Sequence, residues 1–235
     1  MDSLSVSNDL TIGILSLQGA FVEHQVSIER LNLNRRIRVL QVRTEQDLDQ
    51  CNALIIPGGE STTIALLARL SGLFEPLKQF ANTKPVWGTC AGAILLSNSV
   101  VGAKKGGQEL LGGMSISIAR NGWGSQIESF EAPLQVDGLR DSTRPFSGIF
   151  IRAPVLLALK NSPNDPPIQV VARLPQELTP ESLISQVEEF DADTTTIVAI
   201  RQGLHLLTTF HPELTKDDRF HEYFVRECVL NANSP

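Results

Sequence analysis

Short apolar runs alternate with amphipathic stretches over the first hundred residues. Leu10-Thr11-Ile12-Gly13-Ile14-Leu15-Ser16-Leu17 is nearly all apolar and predicts a buried strand. Gly19 to about Leu33 has helical spacing, with Phe21, Ile28 and Leu31 on one face and Val22 and Val26 beside it. Ile37 to Val42 predicts a second strand, Glu45 to Gln50 a short helix, and Ala53 to Ile56 a third strand stopped by Pro57-Gly58-Gly59. Helices follow from Ser61 to Leu70 and on to Ala81, with Gly72 at the joint. Pro85-Val86-Trp87-Gly88 predicts a fourth strand, and Ala91 to Leu96 another helix. Strands that alternate with helices pair in parallel, in an α/β sheet covered on both faces.

Beyond about residue 110 the pattern turns β-rich. Runs near 114–119, 126–131, 148–151, 155–158, 168–172, 196–201 and 205–210 predict strands, several of them antiparallel, and Asn121-Gly122 is a hairpin-type turn signal. An amphipathic helix over Asp217 to Leu230 closes the pattern. No internal repeat is visible. One domain over 1–235 is expected, with a polar tail at 1–9 and an acidic insertion at about 174–194.

Composition changes this picture in three ways. With 26 acidic and 20 basic side chains the formal charge is −6, which argues against nucleic acid as the main partner. Glu177, Glu181, Glu188, Glu189, Asp191 and Asp193 lie in the 174–194 segment, which has no Lys or Arg; without it acids and bases balance at 20 each. The segment is expected on the surface, outside the chemistry. Cys51, Cys90 and Cys228 are too few and too dispersed for a disulfide framework, and the N-terminus has no signal-peptide character. No apolar run is long enough to span a membrane, so a cytoplasmic protein is expected. Arg30, Arg35, Arg36, Arg38 and Arg43 form a basic stretch that fits a solvated face.

The sharpest local feature is Gly88-Thr89-Cys90-Ala91-Gly92, between an expected strand and an expected helix. It has the form of a nucleophile elbow with Cys in place of Ser. The first N–H groups of the following helix would face developing negative charge. Taken alone, the pentapeptide fits a buried cysteine in a glycine-rich turn equally well. Phe210-His211-Pro212-Glu213 supplies a base for such a thiol, and an extended segment would place Glu213 on the same side as His211. Alone, this fits a surface His beside a helix start. Pro57-Gly58-Gly59-Glu60-Ser61 ends the third strand, where glycines let the backbone approach a ligand; it also reads as a plain turn with Ser61 as N-cap. All three would sit on the ligand-binding edge of an open α/β sheet, which favours an acyl-transfer site. His24, His205 and His221 have no metal-like spacing, Cys51 and Cys228 fit inert thiols, and no metal is expected.

Together these segments resemble the class I (triad) glutamine amidotransferases, and within them the PdxT/SNO family, the glutaminase subunits of pyridoxal 5'-phosphate synthase. The resemblance is carried by Leu17-Gln18-Gly19-Ala20, Pro57 to Thr63, Gly88 to Gly92, Phe150-Ile151-Arg152-Ala153-Pro154, Arg201-Gln202-Gly203 and Phe210 to Thr215. It implies a three-layer, flavodoxin-like α/β sandwich with a mostly parallel central sheet and antiparallel additions. It implies hydrolysis of L-glutamine by a Cys90-His211-Glu213 triad through a γ-glutamyl thioester, with Gly59 and Ala91 N–H groups as oxyanion donors. Gly59, Glu60, Ser61, Arg120, Ile151 and Arg152 match the family's glutamine-binding positions, and Gln18 a position that couples partner docking to activation. The implied partner is a βα-barrel synthase of the PdxS/SNZ type that takes the ammonia for vitamin B6 synthesis; no cofactor is implied. The isolated subunit is expected to be weakly active, with docking ordering the loop at Gly58 and Gly59. Departures from the family lie at Ser16, at Gly122 and Ser125 near Arg120, at Lys104 to Gly107, and in the 174–194 segment. A glutaminase for another pathway, such as imidazole-glycerol-phosphate synthesis, and a non-catalytic regulatory protein with a Cys elbow are the alternatives.

Overall fold

The computed structural model describes residues 9–102, 107–120, 129–178 and 192–231. The expected tail at 1–8, the Asn121-Gly122 turn, the departures at Gly122, Ser125 and Lys104 to Gly106, and the acidic stretch 179–191 lie outside the described residues.

Strands β1 (Leu10–Leu15), β2 (Ile37–Val42), β3 (Ala53–Ile56) and β4 (Val86–Thr89) alternate with helices α1 (Phe21–Glu29), α2 (Glu45–Asp49), α3 (Ser61–Leu70) and α4 (Phe74–Thr83). Helix α5 (Ala91–Leu96) leads directly into β5 (Ser97–Val101). Strands β6 (Met114–Ala119), β7 (Ser129–Leu134), β8 (Phe146–Ile151), β9 (Val155–Leu159) and β10 (Ile168–Arg173) follow. Helix α6 (Ala192–Thr195) precedes β11 (Ile197–Gln202) and β12 (His205–Thr208). A 3-10 turn, Pro212–Leu214, connects β12 to α7 (Arg219–Tyr223), which continues as a π-helical stretch over Phe224–Leu230.

The main sheet has seven strands in the order β10-β11-β12-β4-β3-β1-β2. Strands β12, β4, β3, β1 and β2 pair in parallel, while β11 runs antiparallel to β10 and β12. The expected mostly parallel sheet with antiparallel additions is therefore present. A second sheet, β5-β6-β9, and the β7-β8 hairpin complete the strands. Among the described residues, no helix is long and apolar enough to cross a membrane.

The continuous apolar runs follow from burial on both faces. Leu10, Ile12 and Ile14 of β1 with Ala53 and Ile55 of β3 enter one core, which also holds Trp87, Phe210 and Phe224. Leu15, Leu54 and Ile56 enter the other, under α3, α4 and α5. The period of two sends alternate side chains to opposite layers, and each fully buried Ile or Leu contributes about 1.5–3 kcal/mol. Helix α1 is shorter than its apolar pattern, and Val22 and Val26 remain 50% and 44% exposed. It ends at Arg30, whose N–H closes on Val26 O; beyond it Leu31 and Leu33 alternate with exposed Asn32 and Asn34 and pack on the core outside the helix. Leu174 and Thr194 are buried, so both ends of the acidic segment belong to the folded body.

Parallel pairing has one consequence for function. The carboxyl ends of β1, β3, β4 and β12 share an edge, and the chain leaves them at Gln18, Pro57-Gly58-Gly59, Cys90 and His211.

Candidate active site

Cys90 sits on the turn between β4 and α5 with φ 47° and ψ −100°, a conformation that side chains rarely adopt. Its N–H is held by Thr208 O at 2.9 Å. The flanking glycines are there because of close approach. A Cβ on Gly88 would stand 2.5 Å from the Gly92 carbonyl, and one on Gly92 would stand 2.1 Å from Ile56 O.

His211 leaves β12 with its N–H on Ile149 O at 2.8 Å, which ties it to β8. Its Nδ1 lies 2.7 Å from Glu213 Oε1. The approach differs from the extended segment expected. Pro212 opens a 3-10 turn, closed by Leu214 N–H on His211 O and Thr215 N–H on Pro212 O, and that turn brings Glu213 back under the ring. Burial works against a charged His211, but the Cys90 sulfur and the Glu213 carboxylate flanking it push its pKa up to about 10.

Gln18, Gly59, Glu60, Ser61, Cys90, Ala91, Arg120, Ile151, Arg152 and His211 all line one cleft of about 510 Å³, together with Ile94. Glu213 lies behind His211 with its side chain fully buried. Glu60, and not Ser61, is the N-cap of α3: its carboxylate accepts from the N–H groups of Thr62 and Thr63 and from both hydroxyls. Arg120 forms an ion pair with the same carboxylate. Burial opposes ionisation there, but the hydrogen bonds of Thr62 and Thr63 hold the Glu60 carboxyl down at about 2. Gln18 Oε1 accepts from Glu60 N–H at 2.9 Å, and Gly58 O accepts from Ala20 N–H at 3.0 Å. The Leu-Gln-Gly-Ala segment is thereby stitched to the Gly-Gly turn. Arg152 has a positive φ of 42°, the second such non-glycine residue in the cleft.

Sequence reasoning missed three residues here. Gln108 Oε1 accepts from Ser61 Oγ at 3.2 Å and from Arg120 Nη1 at 3.1 Å, so it joins two cleft residues. No local signal marks it. His24 and His221 are fully buried beside Trp87, behind Glu213. A signal was present for His24: it stands three residues after Phe21 and four before Ile28, on the inward face of α1.

Burial pushes both histidines down to about 3. Between their unfolded value of about 6.5 and 3, the unfolded chain binds protons that the folded chain refuses, so stability falls as pH falls. Each histidine costs about 2 kcal/mol between pH 7 and pH 5. Denaturant midpoints at the two pH values test this. The wild type is expected to lose about one histidine's worth more stability than His221→Phe; equal losses would show that His221 is not buried neutral.

A thiol on the elbow of a mostly parallel sheet, faced by His and Glu from a neighbouring strand end, is an arrangement suited to acyl transfer in an α/β protein. The chain belongs to the SNO glutamine amidotransferase family, whose model matches residues 14–230. A probable pyridoxal 5'-phosphate synthase subunit of Arabidopsis thaliana is 43% identical over 226 residues, covering 92% of this chain and 85% of the relative. The pyridoxal 5'-phosphate synthase subunit PdxT of Chloroflexus aggregans is 41% identical over 217 residues, covering 92% of this chain and 99% of its own. A crystal structure of a glutamine amidotransferase superposes with a TM-score of 0.71 at 38% identity, covering 91% of this chain and 96% of that one.

Proposed function

We propose that this chain hydrolyses L-glutamine to L-glutamate and ammonia and hands the ammonia to a PdxS/SNZ-type synthase that builds pyridoxal 5'-phosphate. The observation that carries the reading is the convergence of Cys90 and His211, backed by Glu213, on one cleft that also holds a fixed anion and a fixed cation, Glu60 and Arg120. A substrate with an α-carboxylate and an α-ammonium suits that pair: Arg120 takes the carboxylate and Glu60 the ammonium, with Ser61, Ile151 and Arg152 shaping the rest of the cleft.

Cys90 passes its thiol proton to His211 and attacks the side-chain amide as the thiolate. The oxyanion is held by the N–H groups of Gly59 and Ala91. His211, kept in one tautomer by Glu213, gives its proton to the departing ammonia and leaves the γ-glutamyl thioester. The same imidazole then takes a proton from water, whose oxygen displaces the thiolate and releases glutamate. Gly58 O is bound to Ala20 N–H, and in a trans peptide the Gly59 N–H points the opposite way. Moving Gln18, which sits over Gly59, therefore moves an oxyanion donor, which supports coupling of synthase docking to activation. A cytosolic setting fits three cysteines that are all buried and free.

The test is glutamate release from glutamine, alone and with a PdxS-type synthase. Low release alone and a tenfold or greater rise with the synthase are expected. Capture of a different synthase and no response to this one would overturn the assignment.

A further inference from the structure

We propose that His24 is a positioning residue for this reaction, its Nε2–H holding the second carboxylate oxygen of Glu213, and that His221 fixes the tautomer of His24 that makes this possible. The proposal rests on the glutaminase reading above and extends the site to α1 and α7.

Glu213 uses Oε1 to hold His211, and among the described residues its Oε2 has no hydrogen-bond partner although it is buried. His24 Nε2 lies 3.5 Å from that oxygen. The same nitrogen is 3.2 Å from Thr89 Oγ1, and Thr89 is the residue before Cys90. On its other side, His24 Nδ1 is 2.9 Å from His221 Nε2. The fully buried Trp87 ring packs edge-on against both imidazoles, with centroids 5.4 Å and 4.9 Å away.

Each imidazole is neutral and has one N–H, so two arrangements are available. If His24 carried its proton on Nδ1, it would donate to His221, leaving His221 Nδ1–H buried without an acceptor. A bare ring nitrogen of His24 would then face a carboxylate. If His24 carries its proton on Nε2, that N–H faces Glu213 Oε2 and Thr89 Oγ1, and Nδ1 accepts from His221 Nε2–H. The unpartnered His221 atom is Nδ1 in both arrangements, but here it is a lone pair and not an N–H. A buried orphan acceptor costs less than a buried orphan donor, so the second arrangement wins. The charged groups around the network are Glu213, His211 and, toward His221, Arg30.

The consequence is orientation. A carboxylate held at one oxygen can rotate about its terminal bond; held at both, it presents Oε1 to His211 in one geometry. The 3.5 Å contact is long for the resting site, and catalytic hydrogen bonds commonly tighten when substrate is bound. His24 touches neither substrate nor sulfur, so its loss is expected in kcat and not in KM.

The experiment compares the wild type, His24→Leu and His24→Gln, each with the synthase present. Wild-type activity separates this test from the assignment itself: without it the glutaminase reading fails, and with it the variants decide the role of His24. His24→Leu is expected to lower kcat by about 10²-fold with KM within twofold, and to move the alkaline limb of the kcat/KM profile, set by loss of the His211 proton, toward neutral pH by about one unit. His24→Gln keeps an N–H near the Nε2 position and is expected to recover most of the loss. A purely structural role would lower kcat equally in both variants or in neither, and either result overturns the proposal. Nitrogen NMR of histidine-labelled wild type reads the tautomers without any variant: Nε2–H on both His24 and His221 is expected, and Nδ1–H on His24 overturns the proposal even if His24→Leu does not fold.

Discussion

Cys90→Gly is expected to abolish glutamate release, by about 10⁴-fold or more, and to leave a protein more stable than Cys90→Ala. The second half is unusual. At an ordinary helix or strand position glycine is the less stable of the two by about 0.5–1 kcal/mol. Residue 90, however, sits at φ 47° and ψ −100°, where a Cβ crowds the backbone and costs about 1–3 kcal/mol. Alanine keeps that strain and loses the thiol; glycine loses both. The expected order in denaturant midpoint is therefore glycine above alanine by about 1–2 kcal/mol. Glutamate release with the synthase present and two unfolding curves make the test. Activity surviving in Cys90→Ala would end the triad assignment, and alanine proving the more stable would show that the elbow stores no strain.

The crowding of the turn is legible in the Gly-x-Cys-x-Gly spacing, since a Cβ on either glycine would strike backbone; the positive φ of Cys90 is not. The same holds for β1, β3 and β4, where a strand buried on both faces leaves a continuous apolar run. Legibility fails where a residue's role is set by a partner far away in the chain. Strand β5 starts Ser97-Asn98-Ser99 and follows α5 without a turn; its pairing with β6 decides its structure, and nothing local does. The expected run at 126–131 is a strand over its described residues, 129–131, and β7 carries on to Leu134, since its far end is fixed by pairing with β8. Gln108 and His221 look like surface polar residues until Ser61, Arg120 and His24 close on them. The charge balance was legible in outline only: six acids do sit between 174 and 194, but Leu174 and Thr194 are core positions. The elbow and the His-x-Glu turn are local because turns make them; Gln108 and His221 find their partners at long range because packing brings them together.

Arg219 is the extreme case of a role assigned by packing, and Arg219→Met is expected to destabilise the protein by about 3–5 kcal/mol. An arginine on a C-terminal amphipathic helix reads as a solvated charge, yet Arg219 is 3% exposed. Its Nε and Nη2 fork onto Asp217, with Nη2 2.7 Å from Oδ2. Nη1 donates to the carbonyls of Arg140, Asp141 and Arg144, and Nη2 to that of Pro145. Burial raises the Asp217 carboxyl, but the Arg219 hydrogen bonds outweigh it and hold it below its ordinary value. One guanidinium thus neutralises a partly buried carboxylate and satisfies four carbonyls of the loop before β8, a loop in which Asp141 already has a positive φ of 55°. Methionine fills a similar volume but pairs none of these groups, so the cost is that of orphaned acceptors and of a carboxylate left with the exposed Arg144 alone. Arg219→Lys keeps the charge with three donors in place of five and is expected to fall between the two. The loop feeds β8, which binds His211 through Ile149 O and ends at Ile151 and Arg152. Well below its melting point, Arg219→Met should therefore lose some activity through that slack, while losing most of its activity at the temperature where the wild type still folds. Chemical denaturation of both variants, with glutamate release measured at two temperatures, checks this. A midpoint for Arg219→Met within about 1 kcal/mol of the wild type would mean that water serves those carbonyls as well as the guanidinium does.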